Sequence, residues 1–203
     1  MATLVEVEAY FSNAASAYQA ASRRALWRKV REREARAVVQ TIGDVAGRDV
    51  LELGCGAGFY TRLLLERGAR HVTAVDLSRQ MLDQLPAGPV TALQGDASTI
   101  DPGRRFPVLL SAGMLEFVPD PAAVLSHARR LTCPDGALTI LYPTNTLLGR
   151  AYRRFHHRHG LSITLFDRLS VERLTAATGW RLVSTIPAGP YSACSRLVRT
   201  AGV

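Results

Sequence analysis

Residues 50–59, which read VLELGCGAGF, decide the fold of this chain. A short apolar run that contains one acid, Glu52, leads into a turn with Gly54, Gly56 and Gly58 at alternate positions. Because glycine has no Cβ, such a turn lets main-chain N–H groups approach a ligand closely. The G-x-G-x-G spacing differs from the G-x-G-x-x-G of nicotinamide-binding folds. The stretch therefore predicts a strand–turn–helix unit with a ligand at its turn.

The strand–turn–helix pattern repeats along the middle of the chain. Apolar runs predict five strands, at Asp49–Leu53, His71–Val75, Val90–Leu93, Val108–Ser111 and Ala137–Leu141. Helical patterns lie between them, at Tyr60–Arg67, Ser78–Gln84 and Pro121–Leu131. Strands that alternate with helices favour a parallel sheet with right-handed crossovers. This part of the chain therefore predicts an α/β fold with helices on both faces of the sheet.

The final third of the chain has a different pattern. A helix is predicted at Ser170–Thr178, followed by two strand-like runs at Trp180–Ile186 and Ala193–Arg199. The short proline- and glycine-containing connection between these runs favours an antiparallel pair over another strand–helix–strand unit. We therefore expect seven strands, of which the last two close the sheet antiparallel.

The segments outside this repeat are an N-terminal arm and an insertion. Residues 1–42 predict a helical cap, with helices at about Val5–Tyr18 and Ser22–Ile42. Arg24, Arg28 and Arg31 recur at helical spacing on one side of the second helix. Residues 143–168 are basic and aromatic, which is typical of a lid or of a solvated helix face. The chain has no internal repeat or low-complexity linker, so we expect one domain over residues 1–203.

Composition and net charge limit the class of protein but do not identify its binding partner. Lys29 is the only lysine among 25 basic residues, and the net charge is +8. A basic surface favours an anionic substrate, a carrier protein, a membrane surface or a nucleic acid, without choosing among them. There is no apolar run of the ~20 residues that cross a bilayer, and the start lacks a secretion-signal layout, so we expect a cytoplasmic protein. Cys55, Cys133 and Cys194 match neither a disulfide framework nor a metal site, and no metal is expected.

Further ligand-binding residues follow the second, third and fourth predicted strands. Asp76 ends the second strand, Gly95-Asp96-Ala97 follows the third, and Ser111-Ala112-Gly113 leaves the fourth. Together with the glycine turn and Glu52, this arrangement resembles the class I S-adenosylmethionine-dependent methyltransferases of the small-molecule type. The resemblance covers about residues 45–200. It implies a Rossmann-like, seven-stranded sheet with an N-terminal helical cap over the site.

The resemblance implies S-adenosylmethionine as cofactor and S-adenosylhomocysteine as product. The implied cofactor-binding residues are Tyr18, Glu52, Gly54, Cys55, Gly56, Gly58, Asp76, Leu77, Met81, Asp96, Ala97, Ser111 and Ala112. In the family, the residue at Glu52 supports the amino end of the cofactor, that at Asp76 accepts both ribose hydroxyls, and that at Asp96 accepts the adenine amine. The alternative for Asp76 is a helix N-cap, and the alternative for Met81 is a plain core residue.

The sequence assigns no catalytic residue. Methyl transfer from a sulfonium is a direct displacement, so a base is needed only where the acceptor atom starts protonated. The stretch LEFVPD at residues 115–120 resembles motif IV of the family, but Phe117 stands where many members have histidine, so we expect it to be a pocket wall. Glu116 is either a base or a structural acid. The remaining candidates for base or substrate contact are Tyr10, Tyr18, His156 and His157.

The function expected from these features is methyl transfer to a small-molecule acceptor that is anionic or aromatic. Two alternatives remain open: a phospholipid methyltransferase at a membrane surface, and a cofactor-binding enzyme such as a cyclase that does not methylate. Peripheral membrane contact through the arginine face of the arm also remains open, as does the oligomeric state. Nucleic acid is disfavoured as a substrate, because Ser111-Ala112-Gly113-Met114 is unlike the Asn-Pro-Pro-Tyr motif of base-methylating enzymes.

Overall fold

The computed structural model describes residue 3, residues 5–11 and residues 25–200. The predictions for Tyr18, for Arg24 and for the end of the first predicted helix lie outside these residues. Residues 5–11 are helical and are called α1, and the helix α2 covers Ala25–Ile42. None of the helices described is long and apolar enough to span a bilayer.

Seven strands form a single mixed sheet. In chain order they are β1 (Asp49–Leu53), β2 (His71–Asp76), β3 (Val90–Gln94), β4 (Phe106–Ala112), β5 (Thr132–Pro143), β6 (Trp180–Pro187) and β7 (Ser192–Arg199). Their spatial order is β3-β2-β1-β4-β5-β7-β6. The first five strands are parallel to one another, and β7 lies antiparallel between β5 and β6. The predicted Rossmann-like α/β sheet with antiparallel closing strands is confirmed.

Helices cover both faces of this sheet because successive side chains of each strand point to opposite sides. The remaining helices are α3 (Phe59–Glu66), α4 (Arg79–Leu82), α5 (Pro121–Leu131), α6 (Leu147–Arg158) and α7 (Arg168–Ala177). On one face, Val50 of β1 joins a core with residues of α2, α3 and α4. On the other face, Leu51 and Leu53 join a core with residues of α5 and α7.

Two strands begin at least two residues earlier than predicted. Strand β4 begins at Phe106 and β5 at Thr132, and these two residues pair with each other. An irregularity between Phe106 and Val108 then restores the register in which Val108 pairs with Ala137. The sequence around Pro107 and Pro134 predicts a turn, because proline has no main-chain N–H to donate to a neighbouring strand. The irregular pairing does not require an N–H at these positions.

The insertion at residues 143–168 contains a helix that packs on the N-terminal arm. Helix α6 starts after Thr146, whose hydroxyl accepts a hydrogen bond from the Gly149 N–H at 3.1 Å. The segment after α6 supplies Leu161 and Ile163 to a small apolar cluster that also contains Val7 of α1. The insertion and the arm therefore meet at the carboxyl end of the parallel strands.

Candidate active site

The glycine turn between β1 and α3 has the conformation that its spacing predicts. Gly54, Gly56 and Gly58 have φ angles of 74°, 52° and 78°, which L side chains rarely adopt. The main-chain N–H groups of Gly54 and Cys55 both donate to the Val75 carbonyl oxygen, at 2.8 and 2.9 Å. These bonds hold the turn against the end of β2.

Gly54 and Gly56 have different surroundings. A Cβ at Gly54 would overlap the Met114 side chain and would lie 2.6 Å from the Met114 Cβ. A Cβ at Gly56 would meet no heavy atom within 4 Å. Gly54 is therefore required by the packing of the protein, whereas Gly56 presents bare backbone to open space.

Asp76 connects the end of β2 to the glycine turn. Its carboxylate accepts hydrogen bonds from the Gly56 N–H at 2.8 Å and from the Ser78 N–H at 3.0 Å. Each carboxylate oxygen retains a further lone pair, so the side chain can still accept from a diol. The N-cap of α4 is Ser78, whose hydroxyl accepts from the Met81 N–H, so the alternative of an N-cap role for Asp76 is wrong. Burial raises the pKa of Asp76.

Glu52 lies behind the glycine turn. Its side chain is buried, and one carboxylate oxygen accepts a hydrogen bond from the Thr61 hydroxyl of α3 at 2.6 Å. Burial, more than the neighbouring Asp76 charge, raises the pKa of Glu52 to about 8. Glu52 therefore fastens β1 to α3 beneath the turn, and its expected support of a cofactor amino group stays a prediction.

A cavity of about 510 Å³ opens along the carboxyl ends of β1, β2, β3 and β4. Nine of the predicted cofactor-binding residues line it: Gly54, Cys55, Gly56, Asp76, Leu77, Met81, Asp96, Ala97 and Ala112. Asp96 also accepts hydrogen bonds from the main chain and hydroxyl of Ser98, at 2.8 and 2.7 Å. Gly58 is the N-cap of α3 and Ser111 is buried within β4, so these two support the cavity from behind.

On the side of the arm, Phe117 is the one described residue of the cavity wall that the sequence predicted. Phe11 of α1 and Phe117, from the segment after β4, both line it, and their rings meet edge to face at 5.0 Å. Arg28 and Arg31 of α2 line it as well, and the Arg31 guanidinium lies 5.1 Å from the centroid of the Phe59 ring. The three-residue spacing of these arginines placed them on one face of a helix. It did not indicate that the face borders the cavity.

Three candidates for a catalytic base, Tyr10, His156 and His157, are described by the structure and lie outside the described lining of the cavity. His157 is exposed on α6, and Tyr10 is half-buried on α1. His156 is buried beside the rings of Phe117, at 5.4 Å, and Tyr152, at 4.5 Å. Burial, followed by the charge of a neighbouring histidine, lowers its pKa to about 4, so it is neutral near pH 7. One ring, that of Phe117, therefore stands between His156 and the cavity.

Glu116 is a buried acid next to this wall. Its side chain is 4% exposed, and its Oε2 has no hydrogen-bond partner within residues 25–200 or the described part of the arm. Burial raises its pKa to about 8, and the Glu34 carboxylate of α2 acts in the same direction. Because its neighbours Phe117 and Gly113 line the cavity while Glu116 does not, the structure favours a structural acid over a base.

The raised pKa of Glu116 predicts a specific dependence of stability on pH. The folded state holds the proton up to about pH 8, whereas the carboxyl of the unfolded chain releases it near pH 4.5, as an ordinary glutamate does. The stability that the protonated Glu116 contributes to the folded state is therefore fully present below pH 4.5. It falls as pH rises and is lost once pH has passed 8, and the free energy of unfolding decreases by at most about 5 kcal/mol. We expect the free energy of unfolding of Glu116→Gln to match that of the wild type near pH 5 and to be about 1–4 kcal/mol larger at pH 8.5.

Urea unfolding at pH 5, 6.5 and 8.5 measures this difference. Glu66→Gln, at an exposed position of α3, is the matched control and should leave the pH dependence of the wild type unchanged. A difference between Glu116→Gln and the wild type that stays constant from pH 5 to 8.5 would contradict a protonated, buried Glu116.

Comparisons with known proteins show the family to which the chain belongs. The family model described as "Methyltransferase domain" matches residues 26–185. A ubiquinone biosynthesis O-methyltransferase of Leptothrix cholodnii is 30% identical over 108 residues, which are 49% of this chain and 46% of that protein. A malonyl-[acyl-carrier protein] O-methyltransferase of Serratia marcescens is 33% identical over 135 residues, 65% of this chain and 50% of that protein. The matches thus span about half the length of these relatives.

The fold is that of a solved magnesium protoporphyrin IX methyltransferase from Synechocystis PCC 6803 with bound SAH. The two structures agree with a TM-score of 0.76 over 96% of this chain and 98% of the other, at 18% identity. At that identity the agreement concerns the fold, while the family model concerns the sequence itself. Because that family model covers most of the chain, the chain belongs to the methyltransferase-domain family.

Proposed function

We propose that the chain methylates a small-molecule acceptor that carries an anionic or aromatic group. The observation that carries this proposal is the composition of the cavity. The backbone and carboxylates of the strand ends line it together with Phe11, Phe117, Arg28 and Arg31. Aromatic side chains favour a flat acceptor, and guanidinium groups favour a carboxylate or phosphate. The curated relatives are named O-methyltransferases, which supports an oxygen atom as acceptor.

The residues at the strand ends fit S-adenosylmethionine, which supplies an electrophilic methyl group when bound. Gly56 offers backbone with open space in front of it, as close approach of a ligand requires. Asp76 retains acceptor capacity for vicinal hydroxyls, and Asp96 retains it for an amine. We propose these three residues, with the other six predicted residues that line the cavity, as the cofactor site.

The aromatic residues have a separate role in this proposal. Phe11 and Phe117 exclude water from the end of the cavity where the acceptor enters, which strengthens the charge of the arginines there. We assign no general base, because a carboxylate or phenolate acceptor needs none. Tyr10, His156 and His157 stay candidates for substrate positioning, and a cytoplasmic location stays a prediction.

A panel of acceptors with radiolabelled S-adenosylmethionine tests the acceptor class. We expect methyl transfer to aromatic carboxylates or to acidic phenols that are ionised at the assay pH, so that no proton has to be removed. Arg31→Gln should raise KM for these anionic acceptors about ten-fold with less effect on neutral ones, because it removes a charge-assisted contact. Arg36→Gln is the matched control, since Arg36 is exposed on α2 and is not among the described residues of the cavity wall. Equal effects of Arg31→Gln on anionic and neutral acceptors would contradict the proposed role of this guanidinium.

A further inference from the structure

The outer face of α6 carries an apolar stripe that the site does not use. Leu147, Leu148 and Phe155 are 83%, 55% and 47% exposed, and Ala151 is exposed between them. At 100° per residue, these four side chains fall within one side of the helix. Large apolar side chains are normally covered, so an exposed stripe of them on one helix indicates a contact surface.

The orientation of this stripe is fixed by the inner face of α6. Gly149 and His156 are buried, and Tyr152 stacks on Tyr191 of the β6–β7 connection with ring centroids 4.8 Å apart. A Cβ at Gly149 would overlap the Thr144 carbonyl oxygen, so the helix lies directly on the main chain there. Rotation of α6 to bury the stripe is therefore blocked, and the stripe faces outward.

The charged residues of α6 itself are all arginines. Helix α6 reads LLGRAYRRFHHR, with four arginines and no acid. Arg150, Arg153, Arg154 and Arg158 are exposed, and no carboxylate in the described part of the chain forms an ion pair with them. An amphipathic helix with leucine and phenylalanine on one side and arginine alongside is typical of a helix that lies in the interface of an anionic bilayer.

We propose that α6 binds the surface of an anionic lipid bilayer, with Leu147, Leu148 and Phe155 inserted and the arginines on the lipid phosphates. This differs from membrane contact through the arginine face of the arm, because Arg28 and Arg31 of that face border the cavity. The inner face of the same helix reaches the cavity wall through the contact of His156 with Phe117. Bilayer binding therefore places the acceptor end of the cavity near the lipid. The proposal does not depend on the identity of the acceptor.

Vesicle flotation with the intact chain tests this proposal. We expect binding to vesicles of phosphatidylcholine with 30% phosphatidylglycerol, and at least about ten-fold weaker binding to pure phosphatidylcholine. The triple variant Leu147→Ser, Leu148→Ser, Phe155→Ser keeps the net charge and removes the stripe. We expect it to bind anionic vesicles at least about ten-fold more weakly than the wild type. The control Arg33→Gln, Arg36→Gln removes two exposed charges of α2 and should change binding much less.

A second measurement reports insertion directly. Brominated lipids in anionic vesicles should quench the tryptophan fluorescence of Phe155→Trp more than that of the wild type. The wild type contains Trp27 and Trp180. Thermal unfolding of each variant establishes that its fold is retained. The proposal is overturned by absence of binding to anionic vesicles, by equal binding of the triple variant, or by unchanged quenching of Phe155→Trp. Binding of an acidic polypeptide such as polyglutamate through the stripe, without vesicle binding, would also overturn it.

Discussion

Asp76→Ala is expected to weaken the binding of S-adenosylhomocysteine by about 5- to 150-fold, or about 1–3 kcal/mol. The substitution removes an acceptor that faces the cavity and that holds the N–H groups of Gly56 and Ser78 at 2.8 and 3.0 Å. The ribose hydroxyls of the ligand would then lose the carboxylate that accepts from them. Isothermal titration calorimetry of the wild type and the variant measures this change.

Two variants separate the loss of the ribose contact from damage to the turn. Asp76→Asn keeps one oxygen that can accept from Gly56 and should lose less affinity than Asp76→Ala. Asp101→Ala, at an exposed position after β3 and outside the described lining of the cavity, should leave affinity unchanged. If Asp76→Ala folds like the wild type and binds S-adenosylhomocysteine equally well, the assignment of Asp76 to the ribose is wrong.

Gly54→Ala is expected to lower the free energy of unfolding by about 2–4 kcal/mol. The φ angle of 74° at Gly54 is unfavourable for alanine by about 1–2 kcal/mol. In addition, the new Cβ would lie 2.6 Å from the Met114 Cβ, and overpacking of this kind costs about 1–3 kcal/mol. Because Met114 lines the cavity, its displacement should also weaken binding of S-adenosylhomocysteine. Urea unfolding and calorimetry on the same preparations measure both effects.

Two other glycines provide matched controls for this prediction. Gly47 has a φ of 67° and open space around its Cβ position. Gly47→Ala therefore measures only the cost of placing alanine at a positive φ angle. Gly56 also has open space, but it lines the cavity, so Gly56→Ala should cost little more stability than Gly47→Ala while weakening ligand binding. If Gly54→Ala and Gly47→Ala lower the free energy of unfolding equally, the overlap of the new Cβ with Met114 costs no stability and the prediction is wrong.

The sheet and most of the cofactor end of the site could be predicted because their signals are local. A parallel strand that is covered on both faces is mostly apolar, and β1 is buried at all five residues, three of which are Val50, Leu51 and Leu53. The carboxyl ends of parallel strands meet at one edge, which brings Asp76 and Asp96 to the cavity although they are far apart in the chain. The start of β5 could not be predicted, since Thr132 pairs with Phe106 across an irregularity in the sheet.

Glu52 illustrates the limit of reading a motif from adjacent residues. It lies two residues before Gly54 in the chain, yet the alternation of side chains along β1 puts it on the same face as Val50, toward α3. There it meets Thr61, nine residues away. Proximity in sequence to the turn therefore did not determine whether the side chain reaches the cavity directly.

The acceptor end of the site depends on tertiary contacts that no local pattern contains. The spacing of Arg28 and Arg31 predicts a shared face, but the rotation of α2 is set by the burial of Ala37 and Val38 against the sheet. Likewise, the composition of residues 143–168 predicted a lid or a solvated helix face. Helix α6 combines the two: one side contacts the Tyr191 ring and the Thr144 carbonyl, as in a lid, and the other side is exposed.

The most direct test of the central claim is equilibrium titration of the intact chain with S-adenosylmethionine or S-adenosylhomocysteine. If the cavity at the carboxyl ends of the strands is the cofactor site, each chain binds one ligand saturably, NAD does not compete, and Asp76→Ala weakens the binding. Absence of saturable binding at millimolar ligand by folded wild-type protein would contradict the account.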